Sequence, residues 1–415
     1  MSNNFALMIR VIGDVSAEQL ADALARIRPS HPSLLRGPDR ESAALPLEVR
    51  ADCADDDWIA VAAGDLRTDF PGFPEHGAVA RFTCLKHAAG FDLVAAFHHG
   101  AADGISGVFV LRDILLALTD PQARFEPLSS PPWVAALVPA AVQANAGLRR
   151  RVDFTAAALR ARVRFESLRE RLVPSSRPGP APAALPEAEQ LPPNEQYLIL
   201  PARLTTAQTT ALLARCKKEG VSVHAAVCAA WLRAFTSETK ARFGTVSSPV
   251  NMRDRVSEPV DESAGVVLAT LETRLDCAPG RDFWHLARAF KQELNRGMSD
   301  ENLFFGPMLM AKAFAQAAPT DRRFVFKLLF DSPVSYDFSI TNIGRIPIQE
   351  RYGALQVEAC YGPLVNSSEH ERTVGVSTLA GRLGMTFNLR RSKMEPAQAK
   401  ALLERVVALL VEAAG

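Results

Sequence analysis

The stretch His98-His99-Gly100-Ala101-Ala102-Asp103-Gly104 gathers two imidazoles, a carboxylate and two glycines into seven residues. Neutral histidine is the natural general base near neutral pH, with an unperturbed pKa of about 6.5. One such base is enough to activate a hydroxyl or an amine. Asp103 admits two roles: it can orient the imidazole, as in a triad, or brace the loop by pairing with a distant arginine. Gly100 and Gly104 allow backbone angles and close approaches that other residues resist. A metal reading of His98, His99 and Asp103 is weaker, because catalytic zinc takes three protein ligands of suitable geometry and adjacent histidines at a strand end diverge. No metal is therefore expected. The remaining histidines (His31, His76, His87, His224, His285 and His370) stand singly and read as core or surface residues.

The flanking elements must position this motif. Phe91 to Phe97 is an apolar run that reads as a buried strand. With Phe82 to Lys86 it forms a hairpin across a short turn. After the motif, Val108, Leu111, Leu115 and Leu118 recur on one helical face, widened by Phe109 and Ile114. The motif thus lies between the end of a strand and the start of a helix, where a rigid scaffold presents side chains to a ligand.

The order His-His-x-x-x-Asp-Gly resembles the signature of the chloramphenicol acetyltransferase-like and condensation-domain superfamily. Within it, the chain most resembles the polyketide-associated acyltransferases and alcohol acetyltransferases. A strand at Ala6 to Ile12, a helix opened by a capping box at Ser16 and Gln19, and the segment His31-Pro32-Ser33-Leu34-Leu35-Arg36 follow the order that opens condensation-type enzymes. Ser248-Pro249-Val250-Asn251-Met252-Arg253-Asp254-Arg255 resembles the Val-Asn-x-Arg-x-Arg segment of plant BAHD acyltransferases. Phe338-Ser339-Ile340-Thr341-Asn342-Ile343-Gly344-Arg345 resembles a Ser-Asn-x-Gly segment of the polyketide-associated enzymes. The plant Asp-Phe-Gly-Trp-Gly motif is absent, which argues against a true BAHD enzyme.

The resemblance implies an α/β fold of two chloramphenicol acetyltransferase-like sandwich domains with the active site in a tunnel between them. It implies His99 as catalytic base, with His98, Asp103 and Gly104 as its supporting motif and Arg253 as the partner of Asp103. It places Asn342 or Thr341 across the site as oxyanion or acceptor contact. Ala264-Gly265-Val266-Val267 lies where relatives carry a polar residue, so only its backbone has an expected role. The implied activity is transfer of an acyl group from a thioester to a hydroxyl or amine in natural-product or lipid biosynthesis, with no bound cofactor. Acyl-CoA or a phosphopantetheinyl thioester on an acyl carrier protein would be the co-substrate. Two other functions stay open: a free-standing condensation enzyme joining carrier-bound groups as an amide, and a non-catalytic lipid- or partner-binding protein on the same fold. No Gly-x-Ser-x-Gly elbow supplies a serine nucleophile, and Ser106 lies in Gly-Ile-Ser-Gly, the wrong frame.

Bulk properties set the frame. A chain of 415 residues suggests two domains of about 150–200 residues each. The Pro-rich segment 173–195, unable to build a helix or a central strand, reads as the crossover between domains at 1–172 and 196–415. A net charge of +1 gives no reason to expect a nucleic-acid partner. The six cysteines are scattered without a Cys-x-x-Cys pair and suit a reducing cytoplasm. No signal peptide is visible at the N-terminus. No apolar run reaches the ~20 residues of a membrane span, and a cytoplasmic monomer is expected. Gly147 to Leu172 carries eight arginines against three acids. It reads as a basic helix, either a solvated face or a docking patch for an acyl carrier protein or coenzyme A. Leu303 to Phe314 and Phe324 to Phe330, rich in Phe and Met, read as core or as the wall of an acyl channel.

Overall fold

A computed structural model describes residues 3–37, 43–70, 76–172, 191–192, 195–278, 280–318, 321–322, 324–325, 328, 336–366 and 372–415. Side chains within 166–167 and 169–172 lie outside the description, as do most of the Pro-rich segment and much of Phe324 to Phe330.

Alternation and β-branched content give way to helical periodicity several times along the first half. The chain runs β1 (Asn4–Ile12), α1 (Ala17–Ile27), β2 (Leu35–Arg36), β3 (Leu47–Arg50) and α2 (Asp57–Arg67). It continues with β4 (Gly77–Ala78), β5 (Ala80–His87), β6 (Gly90–His98), α3 (Gly104–Thr119), α4 (Ala140–Ala144) and the long α5 (Ala146–Leu172). The capping box expected at Ser16 and Gln19 forms and starts α1. β5 and β6 make the expected antiparallel hairpin. Burial on α3 is wider than the stripe read from sequence. Val110, Asp113 and Ala117 are buried while Leu118 is only partly so, because the helix is flanked by both α1 and the sheet.

The second half runs β7 (Tyr197–Arg203), α6 (Thr206–Lys218), α7 (Val223–Thr239), β8 (Phe243–Asn251), β9 (Leu268–Asp276), α8 (Phe283–Gly297) and α9 (Asp300–Gln316). It closes with β10 (Phe338–Arg345), β11 (Arg351–Tyr352), β12 (Leu355–Asn366), β13 (Arg372–Leu379), β14 (Arg382–Arg390) and α10 (Pro396–Ala414). Thr205 and Gln208 form a second capping box before α6.

Two six-stranded mixed sheets result, in the orders β11-β12-β1-β6-β5-β3 and β7-β14-β13-β10-β8-β9. The first carries α1 and α3 over a core that includes Phe5, Phe97, Val108 and Leu111. Its other face packs α2 through Trp58, Ala62 and Leu66. The second sheet buries Trp231, Phe338 and Phe387 beneath α7 and α10. Sheet membership departs from the split expected at 173–195, because residues 351–366 of the second half complete the first sheet. β12 pairs antiparallel with β1 and also touches β13. There a Cβ on Gly375 would stand 2.4 Å from the carbonyl carbon of Gly362. Only a glycine lets the two sheets approach this closely.

The stretch Leu303 to Phe314 forms most of α9. Leu303 and Phe304 are fully packed with Val134, Val138 and Met252, so at these positions it is core. Five of the six cysteines are buried and all are free thiols. No described helix is long and apolar enough to cross a membrane.

Candidate functional site

β6 ends at His98, and the chain then turns through His99 and Gly100 before α3 begins. Register fixes this end: Asn4 lies opposite His98 and Phe5 opposite Phe97. The His99 N–H donates to the Asn3 carbonyl at 2.7 Å, prolonging the β1–β6 ladder by one residue. The His99 ring rests against Phe5 with centroids 5.3 Å apart. His98 turns back on its own loop, where its Nδ1 accepts the Gly100 N–H at 3.0 Å.

Both imidazoles are partly exposed. Desolvation pulls the His99 pKa below its usual value, against the opposing pull of backbone groups at His99 and Ala102 and of the Asp103 charge. Burial first, and the neighbouring His99 second, push His98 down to about 4. Both rings are therefore neutral at pH 7, the state in which an imidazole accepts a proton.

Asp103 is buried and does two structural jobs. As N-cap of α3 its Oδ1 accepts the Ser106 N–H at 2.9 Å, satisfying one of the free donors of the first turn. Its Oδ2 accepts from Arg253 Nη1 at 2.9 Å and from the Val267 N–H at 3.0 Å. Burial works to raise the Asp103 pKa. The Arg253 charge, its hydrogen bonds and the N–H groups of Ser106 and Val267 outweigh that, and the carboxyl lies below its usual value. A buried carboxylate held by charge-assisted bonds is an anchor with no spare lone pair for the imidazole. Of the two roles open to Asp103, this geometry provides the brace.

Ser106 completes the anchor. Its Oγ accepts from Arg253 Nη2 at 2.9 Å and from the Gly265 N–H at 3.1 Å, and it lies 2.8 Å from both Asp103 Oδ1 and the Gly265 carbonyl. The Gly265 carbonyl also accepts the Asp103 N–H at 2.9 Å. Gly265 has no room for a side chain: a Cβ there would stand 2.1 Å from Pro131 Cγ. One residue earlier, the Ala264 carbonyl accepts from Ser33 of the His-Pro-Ser-Leu-Leu-Arg segment at 2.5 Å. Residue types give Ser106 no part and leave residues 264–267 only a backbone role; here the Val267 N–H and both polar groups of Gly265 fill that role.

β8 brings Arg253 in from the second half, and the Asn251 Oδ1 accepts its N–H at 3.1 Å. Arg255 pairs instead with Asp300 at 3.0 Å and ties the segment to α9. From β10, Ile343 Cγ2 would lie 3.5 Å from a Cβ on Gly104, and Pro363 Cγ 3.1 Å from it. Both sheets therefore converge on the start of α3. Side chains alternate along a strand. Phe338 and Ile340 enter the second core, whereas Ile343 packs on the first. Thr341 lies on the face opposite Phe338 and Ile340, and a register shift between Asn342 and Gly344 interrupts the alternation before Ile343 is placed. The Asn342 Oδ1 turns locally and accepts the Gly344 N–H at 2.8 Å. Thr341 and Asn342 are both partly exposed.

Among the described residues no cluster of three His, Cys, Asp or Glu side chains is placed to hold a metal ion. A cavity of about 740 Å³ opens elsewhere, between α2 and strands β3 and β5, and His99 does not line it. His31, expected in the core or on the surface, is buried with Nε2 2.9 Å from Asp113 Oδ2. His224 is paired with Ser248 at 2.9 Å inside the second lobe.

Residues 195–388 match the protein-family model described as "Phthiocerol/phthiodiolone dimycocerosyl transferase C-terminus". No curated protein sequence matches the chain. Among solved structures, polyketide synthase associated protein 5 from Mycobacterium tuberculosis is 18% identical, with 100% of this chain and 94% of that chain covered at a TM-score of 0.63. Trichothecene 15-O-acetyltransferase from Fusarium sporotrichioides is 12% identical over 99% of this chain and 91% of its own, at a TM-score of 0.69. The first condensation domain of the calcium-dependent antibiotic synthetase is 16% identical over 99% and 91%, at 0.61. The chain therefore shares the two-lobed α/β fold of these acyltransferases and condensation domains, the fold its motifs led one to expect.

Proposed function

We propose that the protein is an acyltransferase of natural-product or lipid biosynthesis, moving an acyl group from a thioester to a hydroxyl or amine with His99 as general base. The observation that carries this reading is the placement of His99. It is a neutral, partly exposed imidazole at the end of a rigid strand, beside a loop that Asp103, Ser106 and Arg253 lock to the second lobe. The match of the second half to an acyltransferase family and the shared fold support it.

In this mechanism the acceptor and the thioester meet at the seam between the lobes. His99 takes the proton of the acceptor O–H or N–H as its heteroatom bonds to the thioester carbonyl carbon. The carbonyl oxygen becomes an oxyanion, with the Thr341 hydroxyl and the Asn342 amide as donors from β10. Collapse breaks the carbon–sulfur bond, and the imidazolium returns its proton to the departing thiolate. No acyl-enzyme forms. The chain's own residues supply every proton transfer, and acyl-CoA or an acyl carrier protein would bring the donor.

Incubation with a panel of acyl-CoA thioesters, with and without alcohols and amines, tests this through acceptor-dependent release of free thiol. The outcome that sinks it is the absence of thiol release with either CoA-bound or carrier-bound donors. Condensation-domain relatives with the same fold favour one variant, amide formation between carrier-bound groups. Turnover with carrier-bound but not CoA-bound thioesters would select it.

A further inference from the structure

We propose that the outer face of α5 docks the protein on an anionic lipid surface, with the helix lying along the plane of the bilayer. This rests on α5 alone and is independent of the chemistry proposed for His99. One side of the helix is accounted for: Val152, Ala156 and Val163 are buried, and α5 packs along α9. A surface helix of a soluble protein needs only one apolar stripe.

α5 has a second stripe, and it faces solvent. Phe154 is 79% exposed, Phe165 62% and Leu168 54%. At 3.6 residues per turn these positions fall on one line of the helix. Ala157, Ala158 and Ala161, all exposed, fill the gaps between them. From Phe154 to Leu168 the line extends about 21 Å.

Arginines border this line on both sides, with Arg160 and Arg164 along one edge and Arg162 along the other. None of the three makes an ion pair among the described residues. Of the three acids in the segment, Asp153 is held by Lys312 of α9, while Glu166 and Glu170 stand toward its end. Eight arginines less three acids give the segment +5 in a chain of net +1, so the rest of the chain is net negative. An anionic surface would attract this helix and repel the remainder, which sets an orientation. Beside the stripe, between α5 and α9, lies a crevice of about 130 Å³. Leu159, Val163, Ala313 and Val325 form its apolar walls, and Arg160, Arg164 and Asp321 also line it. It has room for a few methylene groups beneath cationic side chains.

An apolar line with cationic edges on both sides is the pattern of a helix at a lipid–water boundary, where rings enter the acyl region and guanidiniums meet phosphates. An acidic carrier protein would satisfy the arginines but leave a straight row of outward rings without an apolar counterpart.

The test is co-sedimentation of the full chain with vesicles of phosphatidylcholine alone or mixed with phosphatidylglycerol. The expected result is binding to the anionic vesicles at least about tenfold stronger than to neutral ones, weakened by salt. Phe154→Ser with Phe165→Ser should reduce binding by about tenfold or more, as should Arg160→Gln, Arg162→Gln and Arg164→Gln together. A Phe165→Trp variant should show blue-shifted emission on anionic vesicles only. These positions are exposed, so the variants should keep the wild-type circular dichroism and melting temperature. The proposal is overturned if the wild type stays in the supernatant with anionic vesicles, if both multiple variants bind like wild type, or if the Trp emission does not move. Binding of an acidic carrier protein on this face without vesicle binding would overturn it equally.

Discussion

Asp103 and Arg253 stand 150 positions apart in the chain, and their side chains meet with Oδ2 2.9 Å from Nη1. The two side chains are only 4% and 8% exposed, so breaking the pair leaves a buried charge uncompensated. Arg253→Met should destabilise the protein by about 3–5 kcal/mol, read from urea denaturation. Asp103→Asn combined with Arg253→Met should cost less than the sum of the single changes. Strict additivity would mean that the contact carries no coupling.

His99→Ala should lower kcat/KM by about 10²–10⁴-fold with little change in melting temperature, because the ring is partly exposed and its main-chain bond to Asn3 remains. His98→Ala removes an acceptor for the Gly100 N–H and should have a far smaller effect on kcat. Comparable losses at both positions would remove the distinction between base and brace.

Ser106→Ala deprives Arg253 Nη2 and the Gly265 N–H of an acceptor and should cost about 1–3 kcal/mol of stability. Activity should persist in the folded fraction. Intact-protein mass spectrometry after mixing with thioester should show no acyl adduct on wild type or variant. An adduct lost in the variant would make Ser106 a nucleophile instead.

Desolvation holds the His99 pKa below 6.5, so the acidic limb of the kcat/KM profile should lie below the usual imidazole range and the rate should be flat from pH 7 to 8. A limb above 6.5 would contradict a desolvated base. Stability should show a related dependence. His98 and His224 are both lowered to about 4 by burial, while the unfolded chain takes up protons near 6.5. Their contributions are full above that pH and decline as pH falls from 6.5 toward 4. Asp65, raised to about 6 by burial, acts in the opposite sense: its contribution is full below 3.8 and is lost as pH rises through 6. His224→Asn should therefore flatten the acid decline by up to ~1.4 kcal/mol per pH unit, measured by denaturation between pH 4 and 7.

Thr341 lies on the face of β10 opposite the buried Phe338 and Ile340, and Asn342 has committed its oxygen to Gly344. Thr341→Val should lower kcat by about 10²–10³-fold with KM little changed, and Asn342→Ala should do less. Equal losses at the two positions, or losses at neither, would refute this assignment.

Much of the site could be read from residue types. The imidazole at the end of an apolar strand, the carboxylate before a helical stripe and the arginine in Val-Asn-Met-Arg are side-chain features with fixed spacing. The structure brings the aspartate and arginine together. The main-chain participants are legible only as the segment 264–267, not as particular peptides or partners. The Val267 N–H and both polar groups of Gly265 act through the peptide unit, which every residue shares. Ser106 is legible only as a failed nucleophile, because three of the four contacts of its Oγ are made with Gly265 and Arg253, 159 and 147 positions away. The place of β12 was hidden too: its alternation suits either sheet, and only the register with β1 decides which. The second apolar line on α5 is not legible in the sequence, because the arginines between its members make the segment read as a basic face.

That borrowed strand has a consequence for how the molecule comes into being. When residues 1–172 have left the ribosome, only four of the six strands of their sheet exist. β1 then offers a bare row of amides and carbonyls to any passing chain. It stays so until Asn366 has been translated, and the Asp103 carboxylate likewise waits for residue 253. The halves are thus poor candidates for separate expression, and a nascent chain stalled before β12 would be a client for chaperones.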